Sequence, residues 1–190
     1  GVASAACPAK VPATIYLPAN TPPAKADKLR QWGAAVVIEG AAWDDANAAA
    51  LVAAERGGRA YVHPFADPAV ISGQGTVALE ILEDMPDVDV LLVAIGGGGL
   101  IAGVAAAAKA LKPGVQVIGI EPYGAPTLHD SVAAGRLVTL DRIETKANTL
   151  APRQSAAINL SLIRKFVDRI LLVSDAEMLA AARLLWFELG

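Results

Sequence analysis

Val93-Ala94-Ile95-Gly96-Gly97-Gly98-Gly99-Leu100 joins two apolar stretches of the chain. Before it, Val88 to Ile95 is an apolar run, interrupted only by Asp89, and predicts a buried strand. After it, Leu100 to Leu111 is rich in alanine with no breaker beyond Gly103, and predicts a helix. Consecutive glycines between a strand and a helix need a reason, because each one costs conformational entropy on folding. An anion supplies one: without side chains, backbone N–H groups can close on a phosphate at the positive end of the next helix. A flexible or tightly packed turn is the competing reading. A flexible turn does not usually sit flush between two strongly apolar elements.

The owner of that phosphate is a separate question. A nucleoside-triphosphate loop ends in Gly-Lys-Ser/Thr, whereas Leu100 and Ile101 follow the glycines here. A dinucleotide loop is a looser match. Gly97-Gly98-Gly99-Leu100-Ile101-Ala102 satisfies G-x-G-x-x-A, and Glu121 ends the next strand at about the spacing of a ribose-binding acid. The ending of that strand, Gly119-Ile120-Glu121-Pro122, points elsewhere.

Glycine run, helix and Val117-Ile118-Gly119-Ile120-Glu121-Pro122 together resemble the threonine/serine dehydratase and serine racemase group of fold-type II pyridoxal-phosphate enzymes. Upstream, His63-Pro64-Phe65-Ala66-Asp67-Pro68 and Ile71-Ser72-Gly73-Gln74-Gly75-Thr76 extend the likeness, as do Pro12-Ala13-Thr14-Ile15 and Pro22-Pro23-Ala24-Lys25. The motifs run in order over most of the chain. The resemblance implies a tryptophan-synthase-β-like architecture, an α/β fold of two lobes with parallel sheets flanked by helices. Residues 1–64 would belong to the small lobe and 65–190 to the large, cofactor-phosphate-binding lobe.

Taken in order, the residues predict the same alternation. Gly1 to Cys7 reads as the tail of a helix, with Cys7 a small buried hydrophobe. Ala13–Leu17 is a strand; Thr21 caps a helix from Pro22 to Trp32, and Gly33 ends it. Ala34–Ile38 is a strand, Trp43 to Arg56 a helix, and Arg59–Val62 a third strand. These strands are too apolar for one wet face, which argues a parallel sheet. Pro64–Gly75 reads as loop, Thr76–Met85 as helix, Val115–Glu121 as strand and Thr127–Ala134 as a helix closed by Gly135. Ala147–Arg153 is irregular, Ser155–Phe166 helical and Ile170–Val173 a strand. Ser174-Asp175-Ala176-Glu177 forms a capping box for a last helix reaching Leu189.

Pyridoxal-phosphate catalysis needs a lysine to carry the cofactor, a cradle for its phosphate and a partner for its ring nitrogen. The resemblance assigns the cradle to Gly96, Gly97, Gly98, Gly99 and Leu100, and places Phe65 beside the cofactor's phenolic oxygen. An aromatic there is similar to dehydratases, whereas serine racemase carries asparagine. The Schiff-base lysine and the carboxylate-binding loop would lie upstream of Gly1, and the nitrogen partner beyond Gly190. No residue of the chain is therefore assigned a catalytic role, and the chain reads as an internal segment of a longer enzyme.

Glu121 can bind a ribose, close its strand or ligate a cation. The resemblance implies Mg²⁺ or Ca²⁺ on Glu121 and the Ala125 carbonyl, with Thr127 standing where an aspartate would be expected. Asn148 and Thr149 replace the Asp-Gly of Ala-Asp-Gly-Leu, which bears on substrate choice. His63 reads as a turn residue beside Pro64, and His63 and His129 without a third imidazole or thiolate make no zinc site.

Composition sets the remaining bounds. With 190 residues, 54% hydrophobic and 18% charged, the chain is globular with ample core. A net charge of −3 gives no electrostatic case for nucleic acid or an anionic membrane, and no apolar run approaches the roughly 18 residues of a span. One cysteine excludes an internal disulfide and suits a reducing compartment. The expectation is a cytoplasmic lyase, dimeric when complete, that eliminates water from threonine or serine. A racemase or β-replacement enzyme of the same fold is the nearest alternative. A dinucleotide-binding dehydrogenase or a non-catalytic phosphate-binding module is the alternative of another class.

Overall fold

The computed structural model describes residues 1–147 and 151–189. They divide into two compact units, Gly1–Val62 and His63–Gly190, just before the boundary expected after residue 64.

In the first unit, α1 (Val2–Ala9), β1 (Thr14–Leu17), α2 (Pro23–Gln31), β2 (Ala35–Ile38) and α3 (Trp43–Arg56) alternate. β1 and β2 pair in parallel, Thr14 opposite Ala35 through Leu17 opposite Ile38. Three expectations are corrected here. Arg59–Val62 is not a strand: the Arg59 N–H turns back to the Ala54 carbonyl at 2.9 Å and closes α3 instead. Thr21 is not the cap of α2. Its N–H bonds to the Pro18 carbonyl in a turn, and Pro22 is held extended (φ −57°, ψ 134°) by the proline after it, so the helix starts at Pro23. Cys7 is exposed, because Ala3 is the one residue that α1 buries and the helix ends just past Pro8.

The second unit holds the larger core. Its order is α4 (Pro68–Asp84), β3 (Val90–Ala94), α5 (Gly99–Leu111), β4 (Gln116–Pro122), α6 (Thr127–Ala134), α7 (Ala157–Phe166), β5 (Arg169–Val173) and α8 (Asp175–Glu188). The strands form a parallel sheet ordered β3-β4-β5, with Val90 opposite Gln116 and Ile118 opposite Arg169. Leu91, Val93 and Val117 from the sheet, with Val115 just before β4, meet Ile101, Val104 and Ala105 of α5 and Leu160 and Ile163 of α7. On the other face of β3, Leu92 stays 67% exposed. The capping box at Ser174 and Glu177 forms as expected.

α4 begins eight residues before the expected Thr76, so most of the predicted loop is helix. The Asp67 carboxylate accepts from the Ala69 N–H at 2.8 Å and Pro68 fills the first turn, a start signal that outweighs the two glycines inside. Of the two, Gly75 serves a crossing, while Gly73 is exposed with open space around it. A Cβ on Gly75 would lie 3.2 Å from the Gly103 carbonyl oxygen of α5, and one on Gly103 would strike the Ile71 carbonyl. There the helices approach backbone to backbone. Asn148, Thr149 and Leu150 lie outside the described residues.

Candidate phosphate site

β3 delivers the chain to Ile95, whose N–H bonds to the Ile120 carbonyl at 2.8 Å, and the glycine turn begins at once. Gly98 is the N-cap of α5 with φ +91°, a left-handed backbone that costs other residues free energy. Its α-carbon is hemmed in as well. A Cβ there would lie 2.5 Å from Leu128 Cδ1, 3.2 Å from Ile163 Cδ1 and 3.3 Å from Asn159 Cβ.

Phe65 closes the opposite side. A Cβ on Gly97 would fall inside its ring, and one on Gly99 would lie 2.6 Å from its carbonyl oxygen and 2.8 Å from its Cα. Phe65 is itself fixed by a turn around His63, whose Nδ1 accepts the Phe65 N–H at 3.2 Å and the Ala66 N–H at 3.0 Å. The two rings stack edge to face with centroids 4.5 Å apart. Burial holds the His63 pKa below its ordinary value, which suits a neutral ring accepting at Nδ1. His63 is a turn residue, as expected.

The turn is thus gripped between Phe65 and the Leu128–Asn159–Ile163 wall. Its donors, however, are left open. Helix bonding resumes with Ala102 N–H to Gly98 carbonyl at 2.9 Å, and the N–H groups of Gly98, Gly99, Leu100 and Ile101 find no acceptor among the described residues. A rigid turn with free donors at the positive end of a 13-residue helix suits a phosphate dianion. Added Cβ atoms at Gly97, Gly98 or Gly99 would destroy it. Leu100 is 41% exposed at the mouth of the turn.

Two side chains that the sequence reading missed hold the turn from α7 and the residues before it. Asn159 Nδ2 donates to the Gly97 carbonyl at 2.7 Å and to the Phe65 carbonyl at 2.8 Å. Ser155 Oγ donates to the Gly97 carbonyl at 2.8 Å. Neither lies in a motif; the one signal was a polar residue at the apolar spacing of Leu160 and Ile163.

The second group of predicted residues sits at the end of β4. Glu121 is fully buried, and its two carboxyl oxygens accept the N–H groups of Leu128 at 2.9 Å and His129 at 2.8 Å, in the first turn of α6. Burial pushes its pKa up to about 7 against the pull of those donors. Ala125 is buried in the intervening turn, its N–H on the Pro122 carbonyl at 3.0 Å. Thr127 spends its hydroxyl proton on the Pro152 carbonyl at 2.8 Å. Among the described residues no group of three or more histidine, cysteine, aspartate or glutamate side chains gathers as a metal site.

The lysines of α5 and its cap stay away from the turn. Lys109, about 15 Å along the helix from Gly99, pairs with Asp168 at 2.8 Å, and Lys112 donates to the Pro86 and Val88 carbonyls.

A sequence profile described as pyridoxal-phosphate dependent enzyme matches residues 1–190. The L-threonine ammonia-lyase of Geobacter sulfurreducens is 43% identical over 181 residues, which are 95% of this chain and 45% of that protein. Among solved structures, maize serine racemase superposes with a TM-score of 0.93 at 34% identity, covering 99% of this chain and 57% of that one. A processed threonine deaminase isoform 2 from Solanum lycopersicum gives a TM-score of 0.92 at 36% identity, covering 98% and 55%. The chain spans about half the length of the relatives it matches.

Proposed function

We propose, for a chain that belongs to the pyridoxal-phosphate dependent enzyme family, that the protein of which it is part is a threonine or serine dehydratase. The reaction is β-elimination of water from a hydroxy amino acid, giving a 2-oxo acid and ammonia. The observation that carries the reading is the glycine turn: rigid on both sides, with its helix-start donors open. Threonine ammonia-lyase as the relative at 43% identity supports the choice of reaction.

In this reading Gly96, Gly97, Gly98, Gly99 and Leu100 hold the cofactor's phosphate through backbone N–H groups and the α5 dipole. Phe65, wedged on Gly97, would stand beside the cofactor's phenolic oxygen. When bound, the cofactor draws electrons from the substrate's α-carbon and makes its proton removable. The chain's own described residues bind and orient; Lys109 and Lys112, on α5 and its cap, are engaged away from the turn. We assign residues 1–64 to the small lobe and 65–190 to the large one. The whole enzyme is cytoplasmic and dimeric in this reading, with a small amino acid as substrate; no helix among the described residues is long and apolar enough to cross a membrane.

A divalent cation at Glu121 and the Ala125 carbonyl is not part of the proposal. Hard cations take six or more oxygen ligands, and here a single carboxyl already serves two N–H donors while Thr127 donates its proton elsewhere.

A racemase is the second reading, favoured by the likeness to maize serine racemase. The test is to incubate the full-length protein and pyridoxal phosphate with L-threonine and L-serine, following 2-oxo acid and D-serine together. Release of 2-oxo acid from both substrates is the expected result. D-serine as the sole product would replace the dehydratase by a racemase.

A further inference from the structure

Asn159 is a fully buried amide in an apolar wall, and its Oδ1 has no hydrogen-bond partner among the described residues. Such an oxygen is expensive to leave unpaired, and an apolar residue of similar volume would avoid the cost. Nor does reversing the amide help, because the oxygen would then face the carbonyls of Phe65 and Gly97. The side chain is explained by its two donors, both spent on the backbone that forms the turn.

Those bonds have a geometric consequence. In a planar trans peptide the carbonyl of one residue and the N–H of the next point in opposite directions. With the Gly97 carbonyl held by Asn159 Nδ2 at 2.7 Å and Ser155 Oγ at 2.8 Å, the Gly98 N–H is turned away from the wall. The same amide ties the Phe65 carbonyl to that peptide, coupling the aromatic ring to the helix start.

We propose that Asn159, assisted by Ser155, is the positioning residue of the phosphate cradle: it aims the Gly98 N–H at the cofactor phosphate and sets Phe65 against it. The proposal rests on the cradle reading above and adds the residues that make the cradle rigid.

The experiment uses the full-length protein and two probes, pyridoxal 5′-phosphate and pyridoxal, which lacks the phosphate. Wild type is expected to bind the phosphorylated probe at least about 100-fold more tightly. Asn159→Asp keeps the shape of the side chain but offers at most one donor to two carbonyls. It should weaken pyridoxal phosphate about 30-fold and pyridoxal less than about 3-fold, while shifting the ³¹P resonance of the bound phosphate. Ser155→Ala, which leaves Gly97 one donor, should lose about 5-fold in the same selective way and serves if the aspartate variant does not fold. Equal weakening of both probes in the variants, or unchanged selectivity and ³¹P shift, would overturn the positioning role. Failure of the cradle reading looks different: wild type would not discriminate the probes, and Gly98→Val would change neither affinity.

Discussion

β3 and β4 are neighbours in one parallel sheet, and each passes through a short turn into a helix, yet the two helix N-termini are finished differently. At α6 the chain supplies its own acceptor: Glu121, from the strand end, takes the N–H groups of Leu128 and His129. At α5 the residue in register with Glu121 is the apolar Ile95, glycines follow it, and the first-turn N–H groups stay open. Both positions have the same electrostatic preference, since a helix start favours negative charge. One satisfies it internally, and the other leaves it for a ligand. The contrast supports the proposed phosphate site more strongly than the glycine count does, because it shows what an ordinary closure looks like in the same sheet.

The largest expected effect breaks the open side. Gly98→Val forces a β-branched residue to φ +91° and drives a methyl-bearing carbon into Leu128, Ile163 and Asn159. Strain and overpacking together should cost about 5 kcal/mol, divided between folding stability and pyridoxal-phosphate affinity. Equilibrium denaturation and cofactor titration of the full-length variant measure the two shares. Wild-type affinity would remove the phosphate from this turn.

Next comes the closed side. Glu121→Ala leaves two buried N–H groups unmade and should destabilise by about 4 kcal/mol; Glu121→Gln, which retains one acceptor, should cost about half that. Neither change should alter cofactor affinity more than a few-fold once the protein is folded. A large selective loss of affinity with intact stability would mean that the two helix starts are not independent.

How far the sequence foretold this contrast differs between its halves. The open turn was legible because an apolar run, four glycines and an alanine-rich helix each point the same way, and the expected cradle residues lie together with Phe65 in the structure. The closed turn was legible only as a choice between ribose, cation and strand end. A carboxyl that caps a helix seven residues downstream leaves no local pattern, since the bond depends on how the turn folds back. Asn159 and Ser155 were invisible for the same reason: their partners lie 94, 62 and 58 residues away. The errors in the elements have a common source. Gly75 reads as loop until a second helix is seen to cross over it, and Arg59–Val62 reads as strand until no neighbour pairs with it. Propensity and pattern report the local chain, whereas crossing and pairing are properties of two segments at once.

A pH titration sharpens the comparison with a somewhat smaller effect. Burial raises the Glu121 carboxyl from 4.5 to about 7. Below pH 4.5 it is protonated both folded and unfolded, so stability carries no penalty. Between 4.5 and 7 the unfolded chain has released the proton while the folded one still holds it, so stability falls as pH rises. The decline levels off above 7 and amounts to about 3 kcal/mol. Denaturant midpoints measured across this range should show the slope in wild type and lack it in Glu121→Gln. A flat wild-type profile would mean that the two N–H donors balance burial, and a rising one that they outweigh it.

The smallest effect concerns metal. Were the closed side also an ion site, chelation would reopen it, and stability would fall by an amount set by the ion's affinity and concentration. The geometry argues against this. Glu121 is the one carboxyl in the turn, both its oxygens already accept N–H groups, and the Thr127 hydroxyl directs its proton to Pro152. A hard divalent cation placed there would have too few oxygens to replace its water shell. The expected change in melting temperature on adding EDTA, or millimolar Mg²⁺ or Ca²⁺ after it, is therefore below about 1 °C. A shift of several degrees, reversed by the ion and absent in Glu121→Gln, would show that Glu121 holds a cation as well as the start of α6. The two helix starts would then be alike in depending on a bound ion, and the contrast between them would reduce to the sign of its charge.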